Sequence, residues 1–192
     1  MKCYKLTDEN GQTQNNTQWG ENVSHSASGE SGQPLCSKGW IHFYTNPFLA
    51  VLMNPSHAFF TSPRLWEAES SGEELHEPLK SGSKTLTTLK EIPLPEISFS
   101  QRIAFGILCG KEVCKNKEWN AWADKWLSGE DRTTESAEVA SHVAKANVAA
   151  NAAAYYAATY SANAASYAAS YAIINDKNID IIKIVKKAMT YK

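Results

Sequence analysis

The sequence is poor in the features by which chemistry usually shows itself. Its four cysteines, Cys3, Cys36, Cys109 and Cys114, make no C-x-x-C pair and join no Cys/His cluster at zinc spacing. We therefore expect no metal and no disulfide framework. His25, His42, His57, His76 and His142 are scattered, with no i, i+4 or carboxylate companion of a metal site. There is no G-x-S-x-G and no phosphate-cradling glycine loop. Cys36 and Cys109 lack a nearby histidine, so a thiol nucleophile is not expected. No apolar run approaches membrane-spanning length. Met1-Lys2-Cys3-Tyr4 leads straight into polar sequence without a secretory pattern. That reads as a cytoplasmic protein with reduced thiols.

Charge of either sign is also scarce in the sum. The net charge is -1 over 192 residues, which gives no global pull toward nucleic acid or membrane. Residues 1–100 hold 7 Lys/Arg against 11 Asp/Glu, or -4, and residues 101–192 hold 12 against 9, or +3. The acidic run Glu67, Glu69, Glu73, Glu74 and Glu77 reads as a solvated loop rather than a phosphate mimic. Lys183, Lys186, Lys187 and Lys192 read as cations suited to a helix C-terminus. Nucleic acid is not an expected partner.

What is present divides the chain in two. Residues 1–95 carry strand candidates: Lys2 to Leu6, the aromatic segment Trp40 to Tyr44, and Lys84 to Ile92. Between them, Thr7 to Gln33 is rich in Asn, Gln, Ser, Thr and Gly and reads as a long polar loop or a weak hairpin anchored by Trp19. Thr45 or Asn46 can cap a short helix that begins at Pro47 and stops at Asn54-Pro55. After Pro93-Leu94-Pro95 the pattern becomes helical. Ser98-Phe99-Ser100-Gln101 fits a capping box. Trp119, Trp122 and Trp126 share one helix face, and Gly129 ends that helix. A last amphipathic helix carries Ile181, Ile182, Val185 and Met189. The class is α+β: a β-rich domain over 1–95 and a helical region over 96–192.

The stretch from Thr134 to Asn175 lacks both proline and glycine. Alanine loses no side-chain entropy in a helix, so the run predicts one helix of about 40 residues, roughly 60 Å at 1.5 Å per residue. Val139, Val143, Ala146, Ala150, Ala153, Ala157, Tyr160, Ala164, Tyr167, Tyr171 and Ile174 step by four and three, the a/d seam of a coiled coil. Tyr156, Tyr160, Tyr167 and Tyr171 also repeat at eleven. Val139, Val143, Tyr156, Tyr160, Tyr167 and Tyr171 are thus the candidate interaction surface, for another helix of this chain or of a second copy, or else for a foreign partner protein.

Two resemblances add to this reading. Gly39-Trp40-Ile41-His42-Phe43-Tyr44-Thr45-Asn46-Pro47-Phe48-Leu49-Ala50 resembles the second motif of ADP-ribosyltransferase-like folds, where an aromatic strand and the helix after it flank the nicotinamide of NAD. The resemblance implies NAD as cofactor, with Tyr4, His42, Tyr44, Thr45 and Glu91 as nucleotide-binding positions. The sequence departs from that family in its first strand, which has Lys2, Tyr4 and Lys5 in place of His or Arg. It also lacks a Glu-x-Glu near the final strand, where Glu91 and Glu96 are the only acids. The whole chain resembles a group of uncharacterised phage-encoded proteins through Gly39 to Ala50, Lys90 to Pro95, Trp119 to Trp126 and the Ala/Tyr repeat. That likeness implies a viral accessory protein in the cytoplasm of a bacterial host. Its partner would be a host protein or complex, such as a defence system of the CRISPR kind. We therefore carry a non-catalytic binding protein without cofactor as the first expectation, and an ADP-ribosyltransferase-like enzyme as the second.

Overall fold

The computed structural model describes residues 1–159 and 164–192. Strands occupy the N-terminal half and helices the C-terminal half, an α+β arrangement. The chain falls into two compact units, Met1–Glu96 and Ile97–Lys192.

The first unit is built on a long hairpin of β6 (Arg64–His76) and β7 (Ser81–Ile92). β1 (Lys2–Thr7) pairs antiparallel with β6, placing Tyr4 opposite Glu67 and Cys3 opposite Ala68. The other edge of β7 is shared by two short strands. β5 (Ile41–Phe43) pairs with Ser81–Ser83, and β4 (Val23–Ser26) pairs with Thr85–Thr88. Beyond β5, Tyr44 exchanges two backbone hydrogen bonds with Tyr4, at 2.8 and 2.9 Å. That bridge closes β1, β6, β7 and β5 on themselves, so β1 has no free edge there. Cys3, Trp19, Phe43, Ala68 and Leu86 fill the interior.

Two local expectations need correction here. The acidic run from Glu67 to Glu77 is not a loop: most of it is strand β6. Period-two alternation is the reason, since Trp66, Ala68 and Ser70 are buried while Glu67 lies between Lys2 and Lys90 on the neighbouring strands. Pro55 likewise does not stop its helix. α1 runs Pro47–His57, capped by the Asn46 side chain on Leu49 N at 3.1 Å, with Pro55 inside it. Within the polar segment, β2 (Gln12–Thr13) and β3 (Thr17–Gln18) make a small hairpin. Trp19 is its anchor, buried with its indole N–H donated to Thr13 Oγ1 at 2.9 Å.

The second unit packs around α2 (Phe99–Val113), which begins with the complete capping box of Ser98 and Gln101. α3 (Lys117–Ser128) is capped by Asn116 and closed by Gly129 at φ 83°. Its three tryptophans, Trp119, Trp122 and Trp126, are buried. α4 (Thr134–Val143), α5 (Val148–Thr159), α6 (Ala164–Asn175) and α7 (Ile181–Ala188) follow.

The single helix expected over 134–175 is therefore broken, and the continuous a/d seam goes with it. The break between α4 and α5 has a clear cause. Asn147 turns its side-chain oxygen to Ala150 N at 3.0 Å, capping α5, and its amide to Val113 O at 3.1 Å. Alanine favours helix but does not set helix length. Folding back lets α5 and α6 both lie against α2 and against each other. Ala150, Ala153, Ala154, Ala157, Ala165, Ala168, Ala169 and Ala172 are thereby buried, whereas a rod of roughly 60 Å would leave most of them in water. One glycine of α2, Gly110, permits the approach of α5: a methyl group added there would stand 3.3 Å from Ala150 Cα, whereas one added at Gly106 would meet Ala165 Cα and Ala168 Cβ at an ordinary 3.5 Å.

Candidate functional site

Helices α5 and α6 bury their alanines and turn their large side chains outward. Val148, Tyr155, Tyr167, Tyr171 and Ile174 are all exposed, Tyr155 by 54 % and Ile174 by 73 %. The register between the helices is set by Tyr156, half-buried against the helical core. Its ring stacks on Tyr167 at 6.2 Å between centroids and 13° between planes, and Tyr155 meets it edge-on at 5.4 Å. Burial, and after it the neighbouring phenols of Tyr167, Tyr155 and Tyr171, raise the Tyr156 hydroxyl above the ordinary tyrosine range. From Ala146 to Asn175, thirty residues, the chain carries no Asp, Glu, Lys or Arg. The outward side of α5 and α6 is thus an uncharged face of tyrosine, isoleucine and valine edged by Asn, Ser and Thr.

Of the six residues expected on an interaction surface, Tyr156, Tyr167 and Tyr171 come together on this face. Val143 packs half-buried against the helical core. Val139 is exposed on α4, and Tyr160 lies outside the described residues. Tyr155 is the member that heptad reasoning missed. The gap in charge between Lys145 and Asp176 was the sequence signal that could have found it.

The nucleotide-binding set fares differently. Tyr4 and Tyr44 are neighbours through their backbone bridge. The buried Tyr44 hydroxyl is 3.0 Å from His57 Nδ1. His42 points its ring nitrogen at Leu35 O, 2.5 Å away, and its own carbonyl accepts from Lys5 Nζ at 2.8 Å. Thr45 is exposed. Glu91 is not part of this group: both its oxygens are engaged by the Arg64 guanidinium, and it lies on β7 nine positions beyond Gly82, the partner of His42. His42 and Tyr44 are thus committed to internal bonds.

Three further groups were not read from the sequence. Lys5 is buried, 5.0 Å from the centre of the Trp19 ring. Burial pushes its ammonium down to about 8. Burial, then Lys80 and His42, push His57 down to about 4. Third, His76 sits between Glu74 Oε2 at 3.1 Å and Ser81 Oγ at 2.9 Å. Ser, His and Glu in a row suggest a nucleophile with its base. However, Ser81 is only 2 % exposed, and His76 and Ser81 are simply opposite residues closing the β6–β7 hairpin. The row is a hairpin clasp.

A shallow pocket of about 240 Å³ is lined by Asp8, Glu9, Phe59, Phe60, Thr61 and Ser62. Among the described residues, no three His, Cys, Asp or Glu side chains are grouped to hold a metal, and no helix is long and apolar enough to cross a membrane. Comparison with protein-family models, with curated proteins and with solved structures finds no match to this chain.

Proposed function

We propose that this chain is a non-catalytic binding protein whose contact surface is the tyrosine face of α5 and α6. One observation carries the reading: a thirty-residue charge gap coincides with the exposed Tyr155 and Tyr167 packed about the half-buried Tyr156. Interface centres are depleted of charge and enriched in aromatic residues. Tyr with Ser and Asn is also the composition of binding loops selected for contact, because tyrosine offers a large, stiff, amphipathic surface. The likeness to phage accessory proteins makes a protein complex of the bacterial host the target class, with defence systems such as CRISPR foremost, and the host cytoplasm the place of action.

The test uses Tyr155→Asp and Tyr171→Asp in the full chain, with affinity capture from host lysate and then titration of the purified partner. Each change should weaken binding at least tenfold, on the order of one interface anchor, with an unchanged melting temperature. Undiminished binding by both variants would overturn the assignment of this face. The enzymatic alternative, NAD binding at Tyr4, His42, Tyr44, Thr45 and Glu91, has less support, because His42, Tyr44 and Glu91 are each held by another group of the fold. On the binding reading, NAD leaves the melting temperature unmoved.

A further inference from the structure

We infer that Cys36 and Lys80 form an oxidation-sensitive modification site, in which a hydroperoxide converts the thiol to a sulfenic acid that the Lys80 amine captures as a covalent S–N bridge. Lys80 Nζ lies 3.1 Å from Cys36 Sγ. That is within the range of about 3–3.5 Å at which bound atoms are poised to react. All four cysteines are free, but Cys3, Cys109 and Cys114 are buried and only Cys36 is exposed. An exposed thiol is the one an oxidant reaches first. With every other thiol buried, a sulfenic acid at Cys36 has an amine rather than a cysteine as its neighbouring nucleophile.

The pair is held in place from both sides. Leu35, just before Cys36, is buried at 1 % exposure, and its carbonyl meets the His42 ring nitrogen. Leu79, just before Lys80, is also buried, and the Lys80 carbonyl accepts from Glu77 N at 3.0 Å. The short separation therefore joins two anchored backbones, 44 residues apart in the chain, rather than two free side chains.

The chemistry balances in two steps. The sulfur of Cys36 attacks the hydroperoxide, the O–O bond breaks, sulfur is oxidised by two electrons to S–OH, and the hydroperoxide leaves as its alcohol, or as water for hydrogen peroxide. Lys80, having released one proton to solvent, then attacks sulfur. The S–O bond breaks, and the hydroxyl leaves with an amine proton as water, giving S–NH. Excess dithiol reverses the bridge to thiol and amine and is itself oxidised to its disulfide.

The test exposes the full chain to hydrogen peroxide and follows its intact mass. The expected product is lighter than the reduced chain by about 2 Da, because oxidation adds one oxygen and condensation with nitrogen then removes one water, a net loss of two hydrogens. Proteolysis should yield one linked peptide pair containing Cys36 and Lys80, and dithiothreitol should dissolve it. The oxidised chain should also melt at a higher temperature than the reduced one. Lys80→Arg keeps the positive charge but has no primary amine. It should melt like the reduced wild type, form no linked pair, and accumulate Cys36 as sulfinic acid at least tenfold faster. Equal rates of Cys36 over-oxidation in wild type and Lys80→Arg would overturn the proposal. So would earlier oxidation of Cys3, Cys109 or Cys114, or an intermolecular disulfide as the main product.

Discussion

The buried Lys5 makes a prediction whose sign can be worked out in advance. Lys5 is 8 % exposed, one hydrogen bond ties its amine to His42 O, and no carboxylate among the described residues pairs with it. Its ammonium titrates near 8 in the fold, against about 10.4 in an unfolded chain. Between those values the unfolded chain binds the proton and the folded chain does not. Stability from this group therefore rises as pH rises from about 8 to about 10.4. The window of about 2.4 units corresponds to roughly 3 kcal/mol at 1.36 kcal/mol per unit. Below pH 8 the whole penalty is in place. Lys5→Met removes it but strands the His42 carbonyl, at about 1–3 kcal/mol. At pH 7 the variant should thus equal or exceed the wild type in stability by about 0–2 kcal/mol, and at pH 10.4 it should be the weaker by about 1–3 kcal/mol.

The subtraction of variant from wild type is necessary because other groups oppose Lys5 in the same range. Burial raises the Cys3 thiol to about 11 and pushes the Cys109 thiol and the Tyr44 hydroxyl above their ordinary ranges. Those groups keep their protons longer in the fold, so their contributions fall with rising pH. Urea unfolding of both chains at pH 7, 8, 9 and 10.4, at fixed ionic strength, supplies the difference. A difference that stays flat within about 0.5 kcal/mol across that range would refute the account of Lys5 as an unpaired buried amine.

Other expectations follow from single contacts. His57, near 4 in the fold, lies below its unfolded value, so its contribution is present above about pH 6.5 and is lost as pH falls toward 4; His57→Gln should flatten acid unfolding in that window. Gly110→Ala would place a methyl 2.9 Å from the Trp119 ring and 3.3 Å from the Ala150 backbone, and should lower stability by about 1–3 kcal/mol in thermal unfolding. Gly106→Ala meets only ordinary contacts at 3.5 Å, so the helix-propensity gain of about 0.5–1 kcal/mol should prevail and raise the melting temperature. Asn147→Ala removes the cap of α5 and its tie to Val113. It should cost about 1–2 kcal/mol, measured in urea.

What could be read from the sequence was whatever is decided within a few residues. Asn46, Ser98, Asn116 and Gly129 each act as caps because a side chain or a left-handed glycine meets orphan backbone groups one turn away. The α+β class followed from the same local patterns. The alanine run was misread for the complementary reason. Every alanine position is compatible with helix, so nothing within a turn distinguishes one helix from several. The decision rests on Asn147 reaching Val113 O, 34 residues earlier, and on Gly110 admitting α5 to the surface of α2. Heptad counting failed with the rod; of its tyrosines, Tyr167 and Tyr171 are exposed, because residues too large for the close alanine contact with α2 must face outward. Lys5 departs from a rule that usually holds, that lysine stays in water. It alternates with Cys3 and Thr7 on the inner face of β1, and the strand's period outweighs the preference of one side chain. The candidate binding face and the buried amine therefore have one origin. In each, a regular element places a residue by its periodicity, and the residue's own chemistry then determines what that position can do.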